Sequence, residues 1–196
     1  MAKDRSHAKK VVDAKFLNKL ADEIYDPKDK SFIRLCTGTL QNGPDPVDGK
    51  RTMHCGLGEL YFKLTGRQPE TDHVDEEGVV EECLTRSALN PEGKREAVEE
   101  TLRKTLKKEL GKLKLAEHQV EDMIDVAVDG IDDDEFETPA QEFRDLLNEI
   151  PDVNDNTGDA TGEDEEGKST CSEADFLERS KAVAAILRKA AALLPA

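Results

Sequence analysis

The 196-residue sequence predicts a mainly α fold with three parts. We expect a compact multi-helix domain over residues 1–150, a disordered acidic linker over residues 151–171 and a C-terminal amphipathic docking helix over residues 172–196. Three observations lead to this division. Apolar residues recur at helical spacing along most of the chain, proline and glycine mark the ends of these stretches, and residues 152–170 hold one apolar side chain larger than alanine, Val153.

The first predicted helix carries an apolar residue at every fourth position, so these side chains share one face. They are Val12, Phe16, Leu20 and Ile24. Ser6 is a candidate N-cap residue. Asp26-Pro27 ends the helix, because the residue before a proline disfavours helical geometry.

The next stretch has a mixed pattern. Residues 32–40 fit either a helix or a strand, because helical apolar spacing runs into a threonine-containing end. Residues 41–49 hold two prolines and two glycines, so we expect a loop there. A short helix follows with Leu57, Leu60 and Leu64 on one face, and Gly66 is placed to end it with a left-handed residue.

Four further helices are predicted before the linker. Their apolar positions are Val79, Val80, Cys83 and Leu84; Val98, Leu102, Leu106 and Leu110; Val120, Met123, Ile124 and Ala127; and Phe143, Leu146, Leu147 and Ile150. Asn90-Pro91 begins the second of these helices, with proline at its first position. A capping box at Thr138-Pro139 begins the last one, and Pro151 ends it.

The predicted linker cannot bury enough apolar surface to offset the entropy of ordering its backbone. After it, Ser172 with Asp175 three positions on is a capping box that begins the last helix. The apolar side of that helix includes Phe176, Val183 and Leu187. The pattern is that of a helix that docks, either on the core of the same chain or on a partner.

Composition limits the class of protein. No apolar run approaches the roughly 20 residues that cross a bilayer, so we expect no membrane partner. The N-terminus lacks the apolar stretch of a secretory signal, and four cysteines are too few for a disulfide scaffold. These features together predict a cytoplasmic protein with reduced thiols.

The least ordinary stretch surrounds Cys55, which precedes a predicted helix with Gly56 and Gly58 in its first turn. A thiol at a helix N-terminus can have a lowered pKa, and the thiolate is the nucleophile. With His54 or His73 as the base, and Asp72 or Asp75 to orient that base, this stretch suggests a small thiol or metal-assisted enzyme. In the alternative interpretation, which we prefer, Cys55 and Gly58 pack a tight helix crossing and no residue is catalytic.

Residues 52–60, with the glycine-containing loop before them and Cys36-Thr37-Gly38 upstream, resemble small bacterial and phage helical proteins of unknown function. These proteins are built around a Cys-Ala-Leu-Gly-Ala-Leu box. This chain has Gly56 and Glu59 where that box has alanine. The resemblance covers about a quarter of the chain, and it implies a helical fold without assigning an activity.

Metal-binding residue types also cluster here. Cys36, His54, Cys55, His73 and Cys83 fall within 48 residues, yet no pair shows the close spacing of a structural zinc site, so we expect no metal and no cofactor. Residues 152–163 imitate a calcium loop through oxygen-bearing side chains at its first, third, fifth and twelfth positions. Thr157 stands where the sharp turn needs glycine, which favours a solvated loop.

Charge is unevenly distributed along the chain. The net charge is -16, and residues 117–179 hold 23 acidic and 3 basic residues. The candidate acidic interaction surface is Asp129, Asp132, Asp133, Asp134 and Glu135. The candidate basic patch is Arg103, Lys104, Lys107 and Lys108.

The preferred hypothesis is therefore a non-enzymatic interaction protein that binds a partner with a basic surface. The alternatives are the thiol enzyme at Cys55 and a nucleic-acid-associated protein that uses the basic helices, which the net charge disfavours. The sequence leaves the oligomeric state open.

Overall fold

The mainly α fold is confirmed by a computed structural model that describes residues 10–37, 39–44, 52–113, 115–157 and 172–195. Its helices and strands are α1 (Ala14–Ile24), β1 (Gln41–Pro44), β2 (Thr52–His54), α2 (Gly56–Thr65), α3 (Pro69–Asp72), α4 (Glu76–Thr85), α5 (Pro91–Leu110), α6 (Glu117–Asp129), α7 (Asp134–Asn156) and α8 (Glu173–Leu193). A short 3₁₀ helix over Gly111–Leu113 follows α5.

The chain divides into two compact units. Unit 1 comprises Met1–Ala88 together with Glu142–Ala196, and unit 2 comprises Leu89–Gln141. The C-terminal helix α8 therefore belongs to the same unit as α1, although the whole of unit 2 separates them in sequence.

The N-cap residue of α1 is Asp13. Ser6, the predicted N-cap residue, lies outside the described residues. The Asp13 carboxylate accepts the backbone N–H of Phe16 at 2.6 Å. Leu20 and Ile24 of the predicted apolar face are buried on α1, together with their neighbours Leu17 and Ala21. Phe16 is only half-buried, and Val12 is buried just before the helix begins.

Helix α8 packs along α1 and completes the core of unit 1. Its predicted capping box is present, with reciprocal hydrogen bonds between Ser172 and Asp175. Two buried polar side chains on α8 also hold the segment after α1: Arg179 donates to the Leu35 carbonyl at 3.0 Å, and the Ser180 hydroxyl donates to the Ile33 carbonyl at 2.5 Å. The docking surface of α8 is thus the core of its own unit.

The loop predicted over residues 41–49 is wrong at its beginning, where β1 forms. β1 pairs antiparallel with β2 in the register Gln41 to His54 and Asn42 to Met53, with an irregularity before the Pro44–Thr52 pair. Proline is tolerated here because a two-stranded sheet has only edge strands. Cross-strand hydrogen bonds thus override the turn composition.

Helix α7 is longer than predicted at both ends. It begins at Asp134 rather than near Thr138, and it continues through Pro151 to Asn156. Asn154 explains the second extension, because it is fully buried and its side-chain amide donates to the Cys36 carbonyl at 2.5 Å. This tertiary contact supports the last turn despite the proline, so the predicted linker begins inside a helix.

In unit 2, α5 begins at Asn90-Pro91 as predicted and pairs with α6. Three buried residues on α6 form the centre of the contact: Val120, Ile124 and Val128. Leu102, Leu106 and Leu110 of α5 are packed against them and remain only partly buried. We call these two helices with their connection the α5–α6 hairpin.

Candidate functional site

The stretch around Cys55 joins the sheet to α2. The backbone N–H of Cys55 donates to the Leu40 carbonyl at 3.2 Å, and the His54 carbonyl accepts the Cys36 N–H at 3.0 Å. Cys55 is the N-cap of α2, and its sulfur accepts the Gly58 N–H at 3.3 Å. These hydrogen bonds fix the start of α2 against the segment that precedes β1.

The two glycines in the first turn of α2 are required by close packing. A Cβ atom on Gly58 would lie 1.8 Å from the Leu40 carbonyl oxygen. A Cβ atom on Gly56 would lie 2.5 Å from Ile150 Cγ2 and 2.8 Å from Val183 Cγ1. The close approach of α2 to backbone and to the side chains of α7 and α8 therefore leaves no room for a Cβ atom at either position.

The His54 ring lies in a buried polar cluster. Its Nδ1 is 3.0 Å from Glu59 Oε2, and its Nε2 is 2.7 Å from Gln68 Oε1. The ring stacks on Phe62 with a centroid separation of 5.2 Å. Both ring nitrogens therefore lie within hydrogen-bond distance of a side-chain oxygen.

Both ring nitrogens of His54 are thus occupied by partners other than Cys55. Glu59 is fully buried, and its second oxygen lies 3.8 Å from Lys63 Nζ. Sequence reasoning missed Glu59 and Gln68. The available signal was Glu59 itself, a charged residue among Leu57, Leu60 and Leu64.

The lowered thiol pKa that the enzyme hypothesis needs at Cys55 is not found. Burial raises the pKa of Cys55 from 9.0 to about 11, and the Gly58 and Leu57 N–H groups only partly oppose this effect. Desolvation of the charged form therefore outweighs the helix N-terminus. At neutral pH Cys55 is a protonated, buried thiol.

His73, the other candidate base, lies elsewhere in unit 1. It ends α3 in a left-handed conformation with φ of 53° and is exposed, whereas Cys55 is buried. Among the described residues, Cys55 forms no hydrogen bond with His54 or His73. The structure does not assemble the dyad.

The candidate orienting carboxylates have structural roles. Asp72 accepts the Tyr61 hydroxyl at 2.7 Å, and Asp75 caps α4 by accepting the Gly78 N–H at 2.8 Å. Because both carboxylates hold local structure, neither orients a catalytic base.

The other described thiols, Cys36 and Cys83, are also buried and free. Burial raises the pKa of each to about 12. Within the described part of the chain, no group of three His, Cys, Asp or Glu side chains is arranged to hold a metal ion.

The calcium-like segment does not form a loop at its start. Residues 152–156 belong to α7, and residues 158–163 lie outside the described residues. A helical backbone cannot wrap its first, third and fifth side chains around one ion as a calcium loop does.

The basic patch is largely engaged by carboxylates of unit 2. Arg103 donates to Asp125 at 2.9 Å, Lys107 to Glu121 at 2.9 Å and Lys104 to Glu100 at 2.5 Å. Lys108 is exposed on α5. The patch therefore stabilises the helical pairing in unit 2, although exposed pairs of this kind contribute only about 0–1 kcal/mol each.

The acidic surface lies at the junction of α6 and α7. Asp129 is the last residue of α6, Asp134 is the first of α7, and Asp132 and Asp133 lie between them. All four are exposed. Arg95 holds Asp133 through both carboxylate oxygens, and the side chain of Glu135 lies outside the described residues.

No family model, curated protein or solved structure matches this chain. None of the helices in the described ranges combines the length and apolar character that a bilayer crossing requires.

Proposed function

We propose that the protein is a non-enzymatic binding protein that holds a basic protein partner on the acidic surface of unit 2. The described part of that surface is formed by Asp129, Asp132, Asp133 and Asp134. The observation that carries the proposal is the uneven pairing of charge within unit 2.

Carboxylates outnumber their potential partners at this end of the unit. Residues 117–141 contain ten acidic residues and no lysine or arginine. Glu121 and Asp125 are neutralised by cations of α5, whereas Arg95 reaches only Asp133 at the junction. The junction is left with excess negative charge, which attracts a positively charged partner and speeds its association at low salt.

The same geometry disfavours the two alternatives. A nucleic acid would have to displace carboxylates from Arg103, Lys104 and Lys107 and approach a chain of net charge -16. A thiol enzyme needs a thiolate at neutral pH, whereas the pKa of Cys55 is raised to about 11.

The binding experiment uses the full chain and three labelled probes: a lysine-rich helical peptide, the same peptide with glutamate for lysine, and a short DNA duplex. We expect fluorescence anisotropy to detect binding of the lysine-rich peptide alone. The affinity should fall between about 50 mM and about 300 mM salt, because salt screens exposed charges. Binding of the duplex, or no binding of the lysine-rich peptide at low salt, contradicts the proposal.

A matched pair of variants locates the surface. The test variant carries Asp129→Asn, Asp132→Asn and Asp134→Asn. The control variant removes the same charge at exposed positions of unit 1 through Glu142→Gln, Glu149→Gln and Glu178→Gln. The test variant should weaken peptide binding about tenfold, or 1.4 kcal/mol, and the control by much less. Equal losses would mean that net charge alone attracts the probe.

A further inference from the structure

The α5–α6 hairpin has a fixed register and one charged side. Its cross-helix ion pairs join Arg103 to Asp125 and Lys107 to Glu121, and Arg95 pairs with Asp133 just after the end of α6. All three pairs follow the same antiparallel register. Because Arg103, Lys107 and their partners project from one side of the two helices, that side is polar.

The opposite side of the hairpin is apolar and incompletely covered over its middle turns, and Lys94 and Glu109 lie at the two ends of the same stripe of α5. At 3.6 residues per turn, the positions facing away from the Arg103 and Lys107 ion pairs are Val98, Leu102 and Thr105 on α5 and Met123 and Ala127 on α6. Val98 is 41% exposed and Met123 is 50% exposed. Helix α5 has no fully buried residue along its 20 positions.

A groove runs along this side of α5. It has a volume of about 450 Å³ and is lined by Ala97, Val98, Thr101, Leu102 and Thr105. Five of the six large hydrophobic side chains that are exposed in the described ranges belong to unit 2. A pair of helices with so little buried surface is marginal, and a four-helix bundle is the usual way to complete it.

We propose that this apolar side binds the same side of a second copy of the chain, forming an antiparallel four-helix bundle about a two-fold axis parallel to the helices. In such an isologous interface, α5 of one copy packs against α6 of the other, and the contact occurs twice. The inference is independent of the binding function, which uses the carboxylates at the α6–α7 junction.

The antiparallel register of α5 and α6 places complementary side chains of the two copies at the same height. This complementarity identifies a second copy as the binding partner. A two-fold axis parallel to the helices keeps α6 of the second copy at the height of α6 in the first. Met123 of the second copy is then level with Thr105, so a long flexible side chain faces the groove left by small residues.

The same register brings opposite charges of the two copies together at the outer edge of the bundle. Asp122 of the second copy is level with the turn of α5 between Lys104 and Lys108. Lys108 and Asp122 are exposed and have no ion-pair partner among the described residues, whereas Lys104 already contacts Glu100. Lys108 is therefore the main cation for pairing with Asp122 of the second copy. A like-charged edge would repel a second copy, whereas this edge attracts it.

The first test is the mass of the full chain by light scattering after gel filtration. At about 100 µM we expect twice the 21.7 kDa mass of one chain, with dissociation on dilution because dimerisation depends on concentration. Thr105→Arg places a charge in the groove and should give a monomer with unchanged helical circular dichroism. Glu96→Arg, at an exposed position on the other side of α5, should leave the dimer intact.

The second test exchanges the edge charges. Asp122→Lys alone, and Lys104→Glu with Lys108→Glu, should each weaken self-association at least tenfold. Mixing the two variants should restore a dimer, because both edges of the mixed dimer are again attractive. A monomeric natural chain at about 100 µM overturns the proposal. The proposal is also overturned if the dimer survives Thr105→Arg, if Glu96→Arg dissociates the dimer, or if mixing the two charge-exchanged variants fails to restore a dimer.

Discussion

Glu59 Oε2 lies 3.0 Å from Nδ1 of His54, and both side chains are removed from solvent. Glu59 lies in the first turn of α2 and supplies a partner for a buried imidazole. Gln68 completes the arrangement by occupying the other ring nitrogen. The polar centre of the Cys55 stretch therefore joins the end of β2 to α2 and to the residue that precedes α3.

Removing the carboxylate from this pair should strongly destabilise unit 1. Glu59→Ala leaves a buried imidazole without its partner, so we expect a loss of about 3 kcal/mol in the free energy of unfolding. Urea denaturation measures it. Glu149→Gln, at an exposed site, should change stability by less than about 0.5 kcal/mol. A Glu59→Ala variant as stable as the natural chain would show that the pair is not structural.

Replacing Gly58 by alanine should be costly because the new Cβ would meet backbone. The Leu40 carbonyl oxygen lies 1.8 Å from that position, so the strand or α2 must move, and we expect a loss of about 3 kcal/mol. Gly111→Ala is the matched control. Its surroundings are open and its φ of -57° suits alanine, so it should stabilise by about 0.5 kcal/mol. Equal effects of the two changes in urea denaturation would contradict the packing described for α2.

The buried thiol should react slowly. Because the pKa of Cys55 is raised to about 11, almost no thiolate is present at neutral pH, and access is closed as well. Iodoacetamide at pH 7.5 should alkylate Cys55 in the native protein more slowly than it alkylates free cysteine, as followed by peptide mass spectrometry. Unfolding in guanidinium should bring the rate to that of an unstructured peptide. If Cys55 in the native protein is alkylated faster than free cysteine, the result would support the thiol-enzyme hypothesis.

The last turn of α7 should depend on Asn154. Its amide donates to the Cys36 carbonyl at 2.5 Å, and Asn154→Ala would leave that carbonyl without the bond, so we expect a loss of about 2 kcal/mol. Asn156→Ala, two residues on and exposed, should cost under about 0.5 kcal/mol. Thermal and urea denaturation compare the two. Similar losses would mean that the contact between α7 and the Cys36 segment does not hold the turn.

Stability should fall at alkaline pH. Burial raises the pKa of Cys55 from 9.0 to about 11 and the pKa values of Cys36 and Cys83 from 9.0 to about 12. The largest cause in each case is that burial disfavours the charged thiolate. A raised pKa means that the folded state retains protons that the unfolded state releases. The stabilising contribution is complete below pH 9 and is lost as pH rises toward 11–12. Urea midpoints between pH 7 and pH 11 measure this loss.

Cys83→Ala provides the control for the alkaline effect, because Cys83 is fully buried. The variant is expected to lose stability at neutral pH from the smaller side chain, yet its decline between pH 9 and pH 11 should be shallower than that of the natural chain. A decline of unchanged steepness would assign the alkaline effect to other groups.

Local signals in the sequence were sufficient for most helices. The cap at Ser172, the proline after Asn90 and the left-handed position of Gly66 all lie where the sequence indicated, because capping and turn preferences act within a few residues. The contacts of the candidate site could not be predicted from the sequence in the same way. Glu59 and Gln68 are 5 and 14 residues from His54, and only the folded chain brings them to one ring.

The amino-acid order by itself determined the mainly α class, the apolar faces of most helices and the acidic excess after residue 116. Tertiary structure alone decided that α7 continues through Pro151, that residues 41–44 pair as a strand, and that Cys55 is buried with a raised pKa. The physical reason is the sequence separation over which the interactions act. Helical spacing and capping depend on near neighbours, whereas a buried amide on a distant carbonyl, a cross-strand ladder and the desolvation of a thiol depend on residues remote in the chain.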